Sequence, residues 1–210
     1  MQLYYITNRH AFPGDETSRR RQLLDKISEA AHAGVDYIQL REKDLPIKEL
    51  ESLTWDSMRI LREANATTKL LINSRTDVAL AAGADGVHLR SDDASPLEVA
   101  AIQSRAKQER APLITAVSCH SVEDFRRAGS EGANFAVLAP IFDKQTTTLT
   151  QGIGLEPLKP ASQGKFPVFA LGGLTLENAQ ACRKAGATGI AAIRLFQENN
   201  IQQIADKLSL

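Results

Sequence analysis

The stretch Ala33-Gly34-Val35-Asp36-Tyr37-Ile38 decides the fold, because similar stretches begin at residues 82, 131 and 185. The glycines of this repeat lie at positions 34, 83, 132 and 186, which places them 49, 49 and 54 residues apart. Each glycine follows a segment of helical periodicity and precedes an apolar run, as a glycine between the end of a helix and a buried strand does. About 49 residues is too long for one strand–helix unit and suits two, so the four repeats predict eight units.

The apolar runs between the helical segments predict a parallel sheet. Continuous apolar strands that alternate with helices are typical of a sheet covered on its outer face. We therefore predict a single-domain α/β TIM (β/α)8 barrel over residues 1–210, with an open doubly wound sheet as the alternative. The predicted strands are Leu3–Ile6, Tyr37–Leu40, Lys69–Ile72, Gly86–Leu89, Leu113–Val117, Phe135–Leu138, Val168–Leu171 and Gly189–Ile193. The longest predicted helices are Arg19–Ala33, Ile47–Ala64, Leu97–Arg110 and Leu176–Ala185, and Asp143–Gly154 is predicted to be one long loop.

Composition limits the partners and the compartment. The chain has 25 basic and 25 acidic residues, so no net charge attracts it to nucleic acid or to an anionic membrane. It contains no apolar run of about 18 residues, and its first residues form a strand pattern rather than a signal peptide. Cys119 and Cys182 are too few and too far apart for a disulfide framework or a zinc cluster. We expect a cytoplasmic protein with no membrane or nucleic-acid partner, and a homodimer is left open.

Composition also suggests what fills the core. Hydrophobic residues make up 43% of the chain and aromatic residues only 5%, which predicts an aliphatic, alanine-rich core. Trp55, Met58 and Leu61 recur at helical spacing and are predicted to be core residues. Cys119 is predicted to be a small core residue, because strand alternation turns it away from its neighbours.

In a TIM barrel the active site lies at the carboxyl ends of the strands. The second predicted strand ends in Gln39-Leu40-Arg41-Glu42-Lys43, whose alternation places Gln39, Arg41 and Lys43 on one side. Three polar groups, two of them cationic, predict an anion-binding site there, with a solvated rim of charges as the alternative. The fourth strand is followed by Asp92 and Asp93, which either hold magnesium through oxygen ligands or cap the next helix.

The seventh and eighth strands end in a pattern that favours phosphate binding. Gly172 and Gly173 close the seventh strand, and Ile193 and Arg194 close the eighth. Phosphate-binding barrels use these two loops, where backbone N–H groups free of side chains point at the anion. The alternatives are an ordinary glycine turn and an Arg194 that points outward on the following helix.

His120 follows the fifth strand at the same end of the barrel. Its ordinary pKa suits proton transfer near neutral pH, and Ser121 beside it is the expected N-cap of the next helix. A structural histidine that hydrogen-bonds the loop is the alternative.

Seven motifs occur here in the order in which they occur in the thiamine phosphate synthase family. The chain resembles that family from about residue 3 to residue 200. The motifs are Tyr5-Ile6-Thr7, Gln39-Leu40-Arg41-Glu42-Lys43, Leu71-Ile72-Asn73-Ser74-Arg75, Ala84-Asp85-Gly86-Val87-His88-Leu89, Ser118-Cys119-His120-Ser121, Pro140-Ile141-Phe142 and Ala170-Leu171-Gly172-Gly173-Leu174.

The resemblance implies an enzyme that uses Mg²⁺ to join a hydroxymethylpyrimidine diphosphate to a thiazole phosphate with release of pyrophosphate. It implies a metal-binding role for Asp93 and a diphosphate contact for Ser118. The residues that would contact the pyrimidine diphosphate are Gln39, Arg41, Lys43 and Asn73, with Thr146 as a further substrate contact. The thiazole phosphate would be bound by Gly172, Gly173, Ile193 and Arg194.

Three departures from the family pattern change this expectation. Ser74 stands where the family has a second aspartate, Asp143-Lys144-Gln145-Thr146-Thr147 replaces a Pro-Thr-x-Thr-Lys motif, and Arg194 replaces a serine. The same departures resemble the TenI-type paralogues, which keep the thiazole phosphate site, lose the metal and tautomerise a carboxythiazole phosphate.

The lead hypothesis from the sequence is therefore a thiazole tautomerase without a cofactor, with His120 as general acid and base. The first alternative is a Mg²⁺-dependent thiamine phosphate synthase. The second is a non-catalytic binder or regulator of the thiazole phosphate.

Overall fold

Eight parallel strands form a closed barrel in this structure, which is a computed structural model that describes residues 1–106, 111–145, 149–159 and 166–209. The strands are β1 (Gln2–Ile6), β2 (Tyr37–Leu40), β3 (Lys69–Asn73), β4 (Gly86–Leu89), β5 (Ile114–Cys119), β6 (Phe135–Leu138), β7 (Val168–Leu171) and β8 (Gly189–Ala192). Each strand pairs with its neighbour in sequence, and the barrel closes where Gln2 of β1 pairs with Gly189 of β8. The predicted TIM barrel is confirmed, and the open sheet is excluded.

Helices follow the strands and cover the outside of the barrel. They are α1 (Glu16–His32), α2 (Ile47–Glu63), α3 (Thr76–Ala82), α4 (Pro96–Arg105), α5 (Val122–Ser130), α6 (Leu176–Lys184), α7 (Arg194–Gln197) and α8 (Ile201–Ser209). The four repeat glycines lie within two residues of the ends of α1, α3, α5 and α6, all with positive φ. The repeat therefore marks every second strand–helix unit, as predicted.

Two segments differ from the predicted boundaries. The segment Asp143–Gly154 is not one loop throughout, because Lys144–Gln145 and Leu149–Thr150 pair as two short antiparallel strands. Thr146 and Thr147 lie outside the described residues, so the predicted contact of Thr146 stays a prediction. Helix α4 ends at Arg105, and the predicted end at Arg110 also lies outside the described residues.

The core has two layers of different chemistry. Between the barrel and the helices the buried side chains are mostly aliphatic, as predicted. The prediction is wrong inside the barrel, where the aromatic rings of Tyr4, Tyr37, Phe135 and Phe169 pack with centroids 4.8 to 5.9 Å apart. Gly189 makes room for them, because a Cβ there would lie 2.4 Å from the Phe169 ring. Few aromatic residues suffice because their large rings are concentrated in this narrow space.

Helix α2 shows why the prediction for Trp55 is wrong. Its buried face is formed by Leu50, Leu53, Thr54, Ser57 and Leu61. Trp55 follows Thr54 and is therefore rotated by about 100° away from that face, which leaves it 52% exposed. Leu61 is buried, Met58 is partly buried, and Cys119 is the buried core residue that alternation predicts. Among the described residues, no helix has the length and apolar character needed to cross a bilayer.

Candidate active site at the carboxyl ends of the strands

Four neighbouring strands present polar side chains to the mouth of the barrel. Gln39, Asn73, His88 and Ser118 lie at the ends of β2 to β5, and all but His88 lie two positions beyond an apolar residue of the barrel interior. The Gln39 side-chain amide donates to Asn73 Oδ1 at 2.9 Å, and His88 Nε2 lies 2.8 Å from Ser118 Oγ. Asn73 and His88 are paired neighbours across β3 and β4. These four side chains, here called the polar half-ring, include three predicted site residues.

The opposite side of the mouth is apolar. The inward positions of β1, β6, β7 and the end of β8 carry Ile6, Val137, Leu171 and Ile193. The mouth therefore has one hydrogen-bonding wall and one hydrophobic wall. Such a division suits a ligand with a flat apolar ring and a polar or charged substituent.

His88 is the member of the polar half-ring to which the sequence analysis assigned no role. Its Nδ1 lies 3.0 Å from the Tyr4 hydroxyl, so both ring nitrogens have partners. Burial, and then the nearby charge of Arg41, lower the pKa of His88 to about 3. The ring is therefore neutral at neutral pH and positions the Ser118 hydroxyl. One histidine at an inward position of an otherwise apolar strand is the signal that could have identified it.

Three cations lie beside the polar half-ring. Arg41 is half-buried, and burial lowers its pKa. The pKa of Lys43 is lowered by the charge of Arg41 first, then by burial, then by the charge of Arg90. Among the described residues, no carboxylate forms a salt bridge with Arg41 or Lys43. Arg41, Lys43 and Arg90, here called the cationic cluster, leave positive charge at the mouth that an anion would neutralise.

Lys43 and Arg90 line a cavity of about 230 Å³ together with Asn73 and Ser74. A water molecule occupies about 30 Å³ of liquid, so a cavity of this size has room for a phosphate-sized anion. Arg75 also lines the cavity, but its guanidinium is held by Asp77 at 2.5 Å.

Asp93 does not have the surroundings of a magnesium ligand. Its Oδ2 accepts from the Arg90 backbone N–H at 2.7 Å, and its Oδ1 lies 3.0 Å from the Arg90 guanidinium. Burial alone would raise the pKa of Asp93, but hydrogen bonds from Ser74 and Arg90 outweigh it and lower the pKa. The described residues contain no group of three or more His, Cys, Asp or Glu side chains that could hold a metal. With a guanidinium on the carboxylate of Asp93 and a neutral serine at residue 74, these residues do not fit Mg²⁺.

Arg9 and Glu42 fix the loop that carries Arg41 and Lys43. Glu42 is 4% exposed, and its carboxylate accepts from the Thr7 hydroxyl at 2.6 Å and from Arg9 Nη1 at 3.1 Å. Arg9 also pairs with Asp44 and Glu16, and the hydrogen bonds to these carboxylates raise the pKa of Arg9. This network ties the loop after β1 to the loop after β2. The sequence analysis missed Arg9. The signal was Glu42, because strand alternation turns its carboxylate away from the mouth, where a buried carboxylate needs a cation.

His120 lies at the end of β5, two residues beyond Ser118. Its Nδ1 lies 2.9 Å from the carbonyl oxygen of Ala139, which can only accept, so Nδ1 carries the proton. In the neutral ring Nε2 therefore keeps its lone pair, as a general base requires. Ser121 caps α5 as predicted, because its side chain accepts from the Asp124 backbone N–H at 3.1 Å.

Gly172 and Gly173 form an open turn at the end of β7. Both have positive φ, and a Cβ on Gly173 would lie 2.7 Å from the backbone oxygen of Asp143. Among the described residues, neither N–H donates to a backbone carbonyl, while Gly172 O accepts from the Phe142 N–H at 3.1 Å. Arg194 is exposed at the start of α7 and forms no salt bridge within the described ranges. The predicted phosphate residues thus share one end of the barrel, and their role stays a prediction.

Comparisons with known proteins agree on one family. Residues 3–196 match the profile of a family described as thiamine monophosphate synthase. "Putative thiamine-phosphate synthase 2" of Aquifex aeolicus is 39% identical over 197 residues, covering 93% of this chain and 97% of its own. The thiamine-phosphate synthase of a Roseiflexus species is 36% identical over 193 residues, covering 91% and 76%. The solved thiamine phosphate pyrophosphorylase of Pyrococcus furiosus superposes with a TM-score of 0.80 at 28% identity, covering 99% and 93%.

These names support the transferase more than the tautomerase. All three carry a synthase or pyrophosphorylase name, and none carries the name of a tautomerase. The family profile covers both the polar half-ring and the glycine turn after β7. On the sequence match, the relatives and the shared barrel, the chain belongs to the thiamine monophosphate synthase family.

Proposed function

We propose that this chain is a thiamine-phosphate synthase, which joins a hydroxymethylpyrimidine diphosphate to a thiazole phosphate. The single observation that carries the proposal is the cationic cluster beside the polar half-ring, where Arg41 and Lys43 have no described carboxylate partner. Fixed positive charges at the place where a leaving anion develops are the main source of catalysis in such transfers. The names of the relatives point to the same reaction.

The two substrates would occupy different walls of the mouth. The Gln39 and Asn73 amides would hydrogen-bond the pyrimidine edge, and their mutual hydrogen bond of 2.9 Å fixes their orientation. The Ser118 hydroxyl, held by His88, would contact the diphosphate. The thiazole ring would lie against the apolar wall, with its phosphate at the backbone N–H groups of Gly172 and Gly173.

The reaction needs one bond to break and one to form. The bond between the pyrimidine methylene carbon and the diphosphate oxygen breaks, and its electron pair leaves with the diphosphate. The lone pair of the thiazole nitrogen then forms the new carbon–nitrogen bond. Arg41 and Lys43 stabilise the charge on the departing diphosphate. The hydrophobic wall of the mouth keeps water from the electrophilic carbon.

A coupled assay tests the transferase. Purified protein is incubated with both substrates, and thiamine phosphate is quantified by fluorescence after oxidation to thiochrome. Arg41→Met should lower the rate by about tenfold or more, because it removes charge stabilisation of the leaving group. Arg59→Met is the matched control, since Arg59 is an exposed arginine on α2. Product formation no faster than in buffer would refute the transferase.

The geometry of His120 favours a second candidate, a thiazole tautomerase. With Nδ1 held by Ala139, Nε2 is the free base that would remove and return a ring proton of a non-aromatic carboxythiazole phosphate. This reaction needs no metal, which agrees with the surroundings of Asp93. The test is to follow aromatisation of that tautomer by absorbance with the wild type and His120→Gln. Equal rates in the two proteins would remove His120 from the mechanism.

The same protein sample distinguishes a third outcome. Calorimetric binding of thiazole phosphate without turnover in either assay would indicate a binder rather than an enzyme. We also propose a reducing, cytoplasmic location for the protein. Cys119 and Cys182 are both free and buried, and burial raises their pKa values to about 12 and about 11.

A further inference from the structure

In the loop after β4 the guanidinium of Arg90 lies on the carboxylate of Asp93, whereas a metal ligand would need that carboxylate to be free. Arg90 binds Asp93 through its backbone N–H and its side chain, and Nη2 also lies 3.5 Å from Asp92. Two acidic residues that could attract a cation are thereby paired with a cation of the chain itself. Because the Arg90 side chain is 48% exposed, its remaining donors still face solvent.

The site keeps an excess of positive charge, because the three cations of the cationic cluster face only the two carboxylates of Asp92 and Asp93. Ser74 contributes a neutral hydroxyl that hydrogen-bonds Asp93 and adds no second carboxylate. The charges of Arg41 and Arg90 both lower the pKa of Lys43 and outweigh those of Asp92 and Asp93, so both arginines act on the Lys43 ammonium. Glu42 also lines the cavity, but its charge is already bound by Arg9.

We propose that Arg90 takes the place of a magnesium ion in this chain and binds the diphosphate directly. A guanidinium presents several N–H donors in a fixed plane, which matches the oxygens of a phosphate or diphosphate group. Arg90 would share the anion with Lys43 and Arg41 across the cavity that Lys43 and Arg90 line. Diphosphate binding by this protein is therefore independent of magnesium. The inference rests on the proposed transferase in one respect, which is the choice of diphosphate as the anion.

Calorimetry with inorganic pyrophosphate tests the inference without requiring turnover. The wild type is titrated once in EDTA and once in excess MgCl₂. We expect measurable binding in EDTA and no gain in affinity with magnesium. Arg90→Gln keeps an amide donor for Asp93 but removes the charge, and it should weaken binding in EDTA by about tenfold or more. Arg59→Gln is the matched control, because Arg59 is also exposed and lies near Asp56 and Glu63. It should bind pyrophosphate as the wild type does.

Three results would overturn the inference. The first is binding of pyrophosphate by the wild type that appears, or strengthens tenfold, only with magnesium. The second is equal affinity of Arg90→Gln and the wild type for pyrophosphate in EDTA. The third is no binding by the wild type in either buffer. The coupled assay separates this outcome from that of the proposed function. Pyrophosphate binding in EDTA without thiamine phosphate formation would sustain the inference and refute the transferase. If thiamine phosphate forms only with magnesium and pyrophosphate binding also requires magnesium, the transferase is supported and the inference about Arg90 is refuted.

Discussion

Lowering the pH from 7.5 to 5.0 should destabilise the folded barrel through His88. The ring is buried inside the mouth, where both nitrogens are hydrogen-bonded and the charge of Arg41 lies nearby. Burial, with that charge, lowers the pKa of His88 to about 3 in the folded protein. In the unfolded chain the same ring titrates near its ordinary pKa of about 6.5. Between these two values the unfolded state binds a proton that the folded state does not.

The size of the effect follows from proton linkage. Stability increases with pH wherever the unfolded state binds more protons, so the contribution of His88 is complete above about pH 6.5 and is lost as the pH falls toward 3. Well inside this window one proton changes the free energy of unfolding by about 1.4 kcal/mol per pH unit. Between pH 7.5 and 5.0 the loss amounts to about 2 kcal/mol. This is a large part of the typical stability of a domain, about 5 to 15 kcal/mol.

Urea unfolding at pH 7.5, 6.0 and 5.0 measures this loss. His88→Gln retains groups that can hydrogen-bond Tyr4 and Ser118 but does not titrate, so its stability should fall by about 2 kcal/mol less than that of the wild type over this range. His32→Gln is the control, because His32 is exposed on α1, and it should keep the wild-type dependence on pH. If His88→Gln and the wild type lose the same stability at pH 5.0, the neutral buried state of His88 is refuted.

Three further predictions concern stability and can be checked by urea unfolding at pH 7.5. Gly173→Ala should cost about 1 to 3 kcal/mol more than Gly132→Ala, because both have positive φ but only at Gly173 would a Cβ meet backbone atoms. Equal losses of stability in the two variants would show that the turn after β7 can shift to accommodate a Cβ. Arg9→Met should cost about 3 to 5 kcal/mol by leaving Glu42 buried without its cation, and a loss below 1 kcal/mol would contradict that dependence. Trp55→Gln should change stability by no more than about 0.5 kcal/mol, since the ring is 52% exposed, and a larger loss would mean that it is covered in solution.

The barrel could be predicted because its signals are local and repeated. The glycines at 34, 83, 132 and 186 end helices by the same left-handed backbone, so one sequence pattern identifies four equivalent positions. Parallel strands also place their carboxyl ends at one edge, which is why Gln39, Asn73 and Ser118 could be assigned to one mouth before their contacts were known. The interior was predicted less well. Overall composition does not reveal that Tyr4, Tyr37, Phe135 and Phe169 all face the same narrow space.

The parts of the site that could not be predicted depend on pairs that are distant in sequence. Arg9 and Glu42 are 33 residues apart, and His88 and Ser118 are 30 apart, so no local pattern connects them. Arg90 and Asp93 are close in sequence, but spacing alone does not show whether an aspartate binds a metal or an arginine. Only the position of the Arg90 side chain decides between these possibilities.

Ser74 and Arg90 act together on the charge of the site. If residue 74 carried a carboxylate beside Asp93, the single guanidinium of Arg90 would face three carboxylates, including Asp92, and the site would attract a divalent cation. With Ser74, the three cations of the cationic cluster face only the carboxylates of Asp92 and Asp93, so the site keeps an excess of positive charge. The charges of these loops therefore favour direct binding of an anion over binding of a divalent cation. On this argument Ser74→Asp should weaken pyrophosphate binding in EDTA and make it depend on magnesium. Binding by Ser74→Asp that matches the wild type in both buffers would show that residue 74 does not set the charge of the site.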